Sequence, residues 1–158
     1  MPEKKEQRKY ERYDTEVQVY FYVTYDIRTK VKFQVIKKEA KKTSPKYLAV
    51  TKNVSAEGMC LTTDRKLLKG DRLYLEVYLP GSSEAVPMEG EVRWCKHGRT
   101  KGKKARYDIG VQLEKVSGES VQRSIYHDSE YHVVWSIVLE SILGNFRILE
   151  QKRHGLTP

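Results

Sequence analysis

The stretch "EVQVYFYVTY", residues 16–25, decides the fold class, because apolar residues occupy every second position through most of it. This is the period of a β-strand with one face buried in a core. The same alternation recurs in "RLYLEVYLP", residues 72–80, and in "RYDIGVQL", residues 106–113. The apolar residues predicted to face the core in the first stretch are Val17, Val19, Phe21 and Val23.

Further strands are predicted over residues 27–36, 47–52 and 59–63, and in "VPMEGEVRW", residues 86–94. In the last of these, the alternation places Trp94 on the same face as the other apolar residues. About six short strands with frequent turns indicate a mainly β protein built as an antiparallel barrel or sandwich.

Two polar stretches interrupt this pattern. The first 14 residues, which include "EQRKYERYD" at 6–14, have too few apolar side chains to offset the entropy of ordering, so we expect a flexible arm until something binds it. The Lys-rich "KKEAKKTSPK", residues 37–46, is typical of an exposed loop.

The C-terminal region has a different period. Between Glu130 and Leu143 apolar residues occur at i, i+3 and i+4, which predicts a helix, and a shorter helix is predicted between Val121 and Tyr126. The apolar face of the longer helix is wide and needs cover. Either the barrel or a second copy of the chain, in a homodimer through this helix, would provide it.

The composition restricts the classes of binding partner and the cellular compartment that we expect. Thirty Lys and Arg against 21 Asp and Glu give a net charge of +9, which favours an anionic partner such as nucleic acid, a membrane surface or a phosphate-bearing small molecule. Cys60 and Cys95 form no CxxC pair and no apolar signal region is present, so we expect a reducing cytoplasm. The most apolar stretch, residues 133–139, falls far short of the roughly 18 residues that a membrane span requires.

Two short motifs are weak evidence when each is taken alone. Arg8 and Arg12 form Arg-x-x-x-Arg in a chain rich in basic residues, and a solvated charged arm would explain them. Asn53-x-Ser55-x-x-Gly58 suits a turn between strands, with Gly58 supplying a positive φ. The four histidines are scattered without the spacing of metal ligands, so no metal site is predicted.

Together, the two motifs resemble the ligand-binding motifs of the PilZ domain family, Arg-x-x-x-Arg and Asp/Asn-x-Ser-x-x-Gly. The later segments "GDRLYLEVYLP", "GEVRWCK" and "YDIGVQL" are similar to the family's later strands in the same order, so the resemblance covers residue 6 to about residue 115. It implies a six-stranded antiparallel PilZ-type β-barrel with a C-terminal helical tail. The implied division is an arm at 1–14, the barrel at 15–116 and a helical extension at 117–158.

The resemblance also implies a function. It indicates a non-enzymatic, cytoplasmic bacterial receptor for cyclic di-GMP, without a cofactor, that changes conformation on binding and signals to an unidentified downstream protein. The implied ligand-binding residues are Arg8, Arg12, Asn53, Ser55 and Gly58. Forty residues separate Arg12 from Asn53, which is more than we expect in the family, and Gln7 leaves open whether one or two ligand molecules bind.

Two alternatives stay open. A basic barrel could bind nucleic acid through residues 37–46 and "HGRTKGKKAR", residues 97–106, although a shaped site for a dinucleotide ranks above it. A PilZ-like domain could also act purely as a protein adaptor. Both motifs are intact, which counts against the adaptor.

Overall fold

The computed structural model describes residues 10–28, 30–32, 46–79, 83–98, 105–130 and 132–144. In chain order the elements are β1 (Tyr13–Asp14), β2 (Gln18–Asp26), β3 (Val31–Lys32), β4 (Tyr47–Val54), β5 (Gly58–Thr63), β6 (Arg72–Tyr78), β7 (Ala85–His97), β8 (Tyr107–Val116), β9 (Glu119–Ser120), α1 (Val121–Ser124), β10 (Tyr126–Asp128), β11 (Val133–Trp135) and α2 (residues 137–144).

Six of the longer strands form a closed antiparallel barrel. Hydrogen-bonded neighbours follow the order β4-β5-β8-β7-β6-β2, and β2 also pairs with β4, which closes the sheet on itself. Closure leaves these strands without the unpaired edges that an open sheet exposes. The mainly β, six-stranded barrel predicted from the sequence is therefore confirmed.

The barrel interior is filled by the apolar residues that the alternation identified. Val19 and Phe21 of β2, Leu75 and Val77 of β6, and Ile109 of β8 are all fully buried in one core cluster. Burying a side chain of this size stabilises the fold by about 1.5–3 kcal/mol relative to leaving it in water. The inward residues thus account for the fold, and the outward residues of the same strands are available for function.

The sheet begins before the predicted boundary between arm and barrel. Tyr13 and Asp14 form β1, which pairs antiparallel with β4, and Tyr10 packs against the core. The expectation of a flexible arm is corrected at Tyr13 and Asp14, because ladder hydrogen bonds to β4 satisfy their backbone although the surrounding side chains are polar. Residues 1–9, which carry Arg8, lie outside the described residues.

The strand predicted over residues 27–36 is corrected at its start. Ile27 lies in a turn, and β3 begins only at Val31. The turn forms because the carboxylate of Asp71 accepts a hydrogen bond from the backbone N of Ile27 at 2.9 Å, which takes that amide away from a strand ladder. Residues 33–45, which contain most of the Lys-rich stretch, lie outside the described residues.

The helix predicted between Glu130 and Leu143 is wrong in its first part. Val133–Trp135 form β11, which pairs antiparallel with β10, and two consecutive valines suit a strand. Ser136 then caps the helix that follows, since its Oγ accepts a hydrogen bond from the backbone N of Val138 at 3.1 Å. As a result α2 begins at residue 137.

The predicted docking of the tail on the barrel is confirmed. Trp135, Val138 and Leu139 belong to the same buried cluster as the barrel interior, and α1 contributes Val121. The predicted shorter helix forms at Val121–Ser124, while Tyr126 already belongs to β10. These apolar side chains are covered within one chain, so covering them does not require a homodimer.

Candidate functional site

A cleft of about 240 Å³ opens on the outer surface of the barrel, where β5, β8 and β7 lie side by side. Outward positions of these strands line it, among them Gly58, Cys60 and Gly110. The two glycines project no side chain, which lets neighbouring groups approach their strands closely. Arg12, from the segment before β1, lines the same cleft.

Arg12 reaches the cleft because the segment after it is tied to β4. The backbone N of Thr15 donates to the carbonyl of Lys52 at 3.2 Å, and the backbone N of Val17 donates to Oγ1 of Thr51 at 2.8 Å. Between Arg12 and these two hydrogen bonds, β1 pairs with the last residues of β4. The arginine itself is exposed, so its guanidinium is accessible to a ligand while its backbone is anchored.

A β-bulge in β4 turns Asn53 toward the cleft. Thr51 pairs with Leu61 and Asn53 pairs with Cys60, so Lys52 is an extra residue in the ladder. Side chains alternate along a strand, and one extra residue therefore moves Asn53 from the core side to the outer side. Thr51 remains buried in the barrel.

Ser55 and Gly58 close the turn between β4 and β5. The backbone N of Ser55 donates to the carbonyl of Gly58 at 2.8 Å, and its Oγ donates to the same carbonyl at 3.5 Å. The prediction that Gly58 supplies a positive φ is wrong, because the glycines with positive φ in the described residues are Gly70 and Gly118. Gly58 is needed for space instead: a Cβ there would lie 2.5 Å from the carbonyl oxygen of Val111.

A second bulge, in β7, places Trp94 at the cleft. The register of β7 on β8 shifts between Val92 and Trp94, so Trp94 pairs with Gly110. This corrects the prediction that Trp94 shares the inward face of Val92. The indole lies over Gly110, where an added Cβ would meet its ring at 2.2 Å, and a mid-strand glycine is what permits this approach. The ring thereby becomes part of the cleft wall.

The charges around the cleft are mixed but mainly positive. Arg12 and Arg93 line it, and Nζ of Lys96 lies 5.0 Å from the centroid of the Trp94 ring. Burial raises the pKa of the Cys60 thiol above its usual value, with a further increase from Asp108 that Lys52 and Arg12 partly oppose. Cys60 therefore stays a neutral thiol at neutral pH.

The structure brings together four of the five residues that the motifs identified. Arg12, Asn53, Ser55 and Gly58 all line the cleft, and Arg8 lies outside the described residues. Ligand binding by these residues stays a prediction. Further lining residues that the motifs did not identify are Glu57, Met59, Cys60, Arg93, Val111 and Gln112. The glycine in the middle of "YDIGVQL" was the one available signal, because it marks a close approach from the neighbouring strand.

The model of the PilZ domain matches residues 6–127 of this sequence, which is most of the chain and includes both motifs. The chain belongs to the PilZ domain family. The resemblance inferred from Arg-x-x-x-Arg and Asn-x-Ser-x-x-Gly is thus confirmed at the level of the family.

Two solved PilZ proteins are similar to the chain at low sequence identity. The Bacillus subtilis inhibitor of motility MotI/DgrA is 16% identical with a TM-score of 0.46, over 75% of this chain and 47% of its own. The PilZ domain of Escherichia coli YcgR, solved with c-di-GMP, is 12% identical with a TM-score of 0.45, over 68% of this chain and 78% of its own. This chain thus spans about half the length of the MotI chain. No curated protein sequence matches it significantly.

The described residues also bear on metal binding and on membrane insertion. No group of three or more His, Cys, Asp and Glu side chains in that part of the chain is arranged to hold a metal ion. His97 instead packs against Tyr107, with ring centroids 4.8 Å apart. None of the helices in the described ranges has the length and apolar composition needed to cross a bilayer.

Proposed function

We propose that the chain is a non-enzymatic receptor that binds cyclic di-GMP in the cleft. The observation that carries the proposal is the convergence of Arg12, Asn53, Ser55 and Gly58, which come from two distant parts of the sequence, on one cleft. Membership of the PilZ domain family supports the same ligand. We propose that Arg8, four residues before Arg12, completes the pair of arginines.

The chemistry of the lining residues suits two phosphates and two guanines. An arginine can hold phosphate oxygens with two parallel hydrogen bonds, pair with O6 and N7 of guanine, or stack on a base. Asn53 and Ser55 offer short neutral donors and acceptors beside it. Trp94 lines the cleft beside them, and an indole is a side chain on which a purine ring stacks.

The proposed response to the ligand is a local closure. Arg12 precedes β1, so a ligand that bridges Arg8 and Arg12 to the turn at Ser55 would draw the segment before β1 onto the barrel. A downstream protein that distinguishes the two states would read out the messenger. We place this receptor in a bacterial cytoplasm, and the free thiols of Cys60 and Cys95 are in keeping with a reducing compartment.

Titration calorimetry with cyclic di-GMP tests the proposal. Arg12→Ala is expected to weaken binding at least tenfold, since loss of a charged hydrogen-bond partner typically costs about 1.5–3 kcal/mol. Arg28→Ala is the matched control, because Arg28 is an exposed arginine in the turn after β2 and does not line the cleft. Amide hydrogen exchange of residues 5–14 in the same samples should slow when ligand is added.

Four results would contradict all or part of this proposal. Absence of cyclic di-GMP binding by the wild-type chain would favour the adaptor. Equal affinity of the wild type and Arg12→Ala would show that Arg12 does not bind the ligand. Unchanged amide exchange at residues 5–14 would show that the ligand does not close this segment onto the barrel. Binding of an oligonucleotide with a steep dependence on salt would favour nucleic acid, because such binding releases many counterions.

A further inference from the structure

Glu57 is an unexpected residue for a cleft that binds phosphates. It is the one acidic side chain among the described residues that line the cleft, where Arg12 and Arg93 supply positive charge. A carboxylate repels the two phosphates of a cyclic dinucleotide and so lowers affinity for any ligand of that class. A donor group on the ligand that hydrogen-bonds the carboxylate would offset this cost.

The backbone of Glu57 is held firmly on both sides. Ala56 before it is buried in the core cluster, and Gly58 after it lies against the backbone of Val111. The carbonyl of Glu57 itself accepts a hydrogen bond from the backbone N of Leu113 at 2.8 Å. The side chain therefore projects into the cleft from a fixed point, which is the condition for selective recognition of one chemical group.

The carboxylate of Glu57 is also available. Among the residues that the structure describes, it forms no ion pair, whereas Glu91 and Glu114 both pair with Arg72. Glu57 is only partly exposed and lines the cleft. A ligand in the cleft would thus meet an acceptor that no neighbouring cation of the described residues occupies.

We propose that Glu57 reads the Watson–Crick edge of one guanine and makes the cleft selective for guanine over adenine. This inference rests on the proposed function. Guanine presents two donors side by side on that edge, N1–H and the N2 amino group, and the two oxygens of a carboxylate accept both. Adenine presents the unprotonated N1 at the same place, which would face the carboxylate with a lone pair and no hydrogen.

Two other roles for Glu57 predict different results. If the carboxylate accepts a hydrogen bond from a ribose 2′-hydroxyl, it supports every cyclic dinucleotide equally, because all of them carry that group. If it only lowers anion affinity through its charge, its neutralisation strengthens binding of all of them by the same factor. Only recognition of the base edge changes the ratio between ligands.

The test is titration calorimetry of three ligands that differ only at the base edge: cyclic di-GMP, cyclic di-IMP, which lacks the N2 amino group, and cyclic di-AMP. Each is titrated into the wild type, Glu57→Gln, Glu57→Ala and the control Glu119→Gln. Glu119 is an exposed glutamate in β9 outside the cleft, so its substitution removes the same charge without touching the site. Circular dichroism verifies that each variant retains the strand content of the wild type.

In the wild type, cyclic di-GMP is expected to bind roughly tenfold more tightly than cyclic di-IMP, and more tightly still than cyclic di-AMP. Glu57→Gln should lose about tenfold in affinity for cyclic di-GMP and gain affinity for cyclic di-AMP, because an amide can donate to N1 of adenine and accept from its N6 amino group. Glu57→Ala should bring the affinities for cyclic di-GMP and cyclic di-IMP together, because these two ligands share O6 and N7 and differ only in the N2 amino group that the carboxylate would bind. Glu119→Gln should leave their ratios unchanged.

The outcomes separate this inference from the proposed function. A wild type that binds none of the three ligands overturns both. A wild type that prefers cyclic di-GMP, with the same preference in Glu57→Gln and Glu57→Ala, overturns only the role of Glu57. An equal rise in affinity for all three ligands in Glu57→Gln also overturns the role of Glu57, because the carboxylate then acts only through its charge. An equal fall in affinity does the same, because the carboxylate then binds the ribose that all three ligands share.

Discussion

Two outer faces of one barrel differ in what their strands project. On the cleft face, formed by β5, β8 and β7, the outward positions include Gly58 and Gly110, and the surface is concave. On the opposite run of strands, the outward residues of β2 and β6 form what we call the tyrosine face. The tyrosine face consists of Tyr20, Tyr22, Tyr74 and Tyr78.

The rings of the tyrosine face fill the space above their strands. Tyr22 packs edge to face on Tyr74 with ring centroids 6.0 Å apart, and Tyr20 does the same with Tyr78 at 5.7 Å. Glu76 lies between the two pairs along β6, and its Oε1 accepts a hydrogen bond from the hydroxyl of Tyr22 at 3.5 Å. Pairs of this kind on adjacent strands stabilise a sheet by about 0.2–1 kcal/mol each.

The inward residues of the two faces are alike, since Leu75 of β6 and Ile109 of β8 are both fully buried in the same cluster. The two faces therefore differ at single outward positions: the cleft face has glycines that a ring or a neighbouring backbone approaches closely, and the tyrosine face has aromatic side chains. Bulges in β4 and β7 in addition bring Asn53 and Trp94 to the cleft. The tyrosine face provides the reference against which cleft substitutions can be judged.

The largest effect is expected from Gly58→Ala. The new Cβ would lie 2.5 Å from the carbonyl oxygen of Val111, and because that atom belongs to the backbone, β5 and β8 must move apart. We expect the free energy of unfolding in urea to fall by about 1–3 kcal/mol, the usual cost of overpacking. Ala85→Ser, which adds one heavy atom beside the tyrosine face, should change it by less than about 0.5 kcal/mol. Equal stability of the two variants would show that the close approach at Gly58 is not constrained.

A smaller change in stability is expected from Gly110→Ala. Its Cβ would meet the Trp94 ring at 2.2 Å, but an indole can rotate away where a backbone cannot. We therefore expect a loss of stability smaller than for Gly58→Ala, with several-fold weaker binding of cyclic di-GMP. Acrylamide quenching of tryptophan fluorescence should increase, and it reports on Trp94 because Trp135 is buried. Unchanged quenching and affinity would mean that Gly110 does not hold the ring in place.

The sequence predicted the barrel well because period-two alternation depends only on which residues are apolar. It failed where one hydrogen bond changes the path of the chain, as at Ile27, whose amide is taken by Asp71, and at Ser136, which starts α2 late. Neither hydrogen bond produces a periodic pattern in the sequence. A cap or a turn contact joins single residues, and several alternatives are equally compatible with the same composition.

The candidate site was predictable in part for the same reason. The two motifs identified Arg12, Asn53 and Ser55 through a family resemblance, which alternation alone could not have done. Simple alternation misassigned Trp94, because a bulge adds one residue to the ladder and reverses every side chain after it. Glu57 occupies a variable position of the second motif, so the motif does not mark it as a binding residue. Its position in the cleft is what indicates a role for the carboxylate.

The smallest effect is expected on the tyrosine face, and it depends on pH. Burial, with an added contribution from Glu76, raises the pKa of Tyr22 and of Tyr74 above the ordinary value of 10.0. Below pH 10 both phenols are protonated in the folded and the unfolded chain, so their contribution to stability is fully present. Above pH 10 these two phenols lose their protons in the unfolded chain before they do so in the folded chain. The free energy of unfolding should therefore fall as the pH rises through the folded pKa values.

The double variant Tyr22→Phe, Tyr74→Phe should remove part of that fall while leaving stability at pH 7 within about 0.5 kcal/mol of the wild type. Urea unfolding at pH 7, 9 and 10.5 measures both quantities. Burial also raises the pKa of Tyr13, which packs against the core, and of Cys60, which lines the cleft. A double variant that keeps the full wild-type decrease would show that Tyr22 and Tyr74 do not cause the alkaline sensitivity.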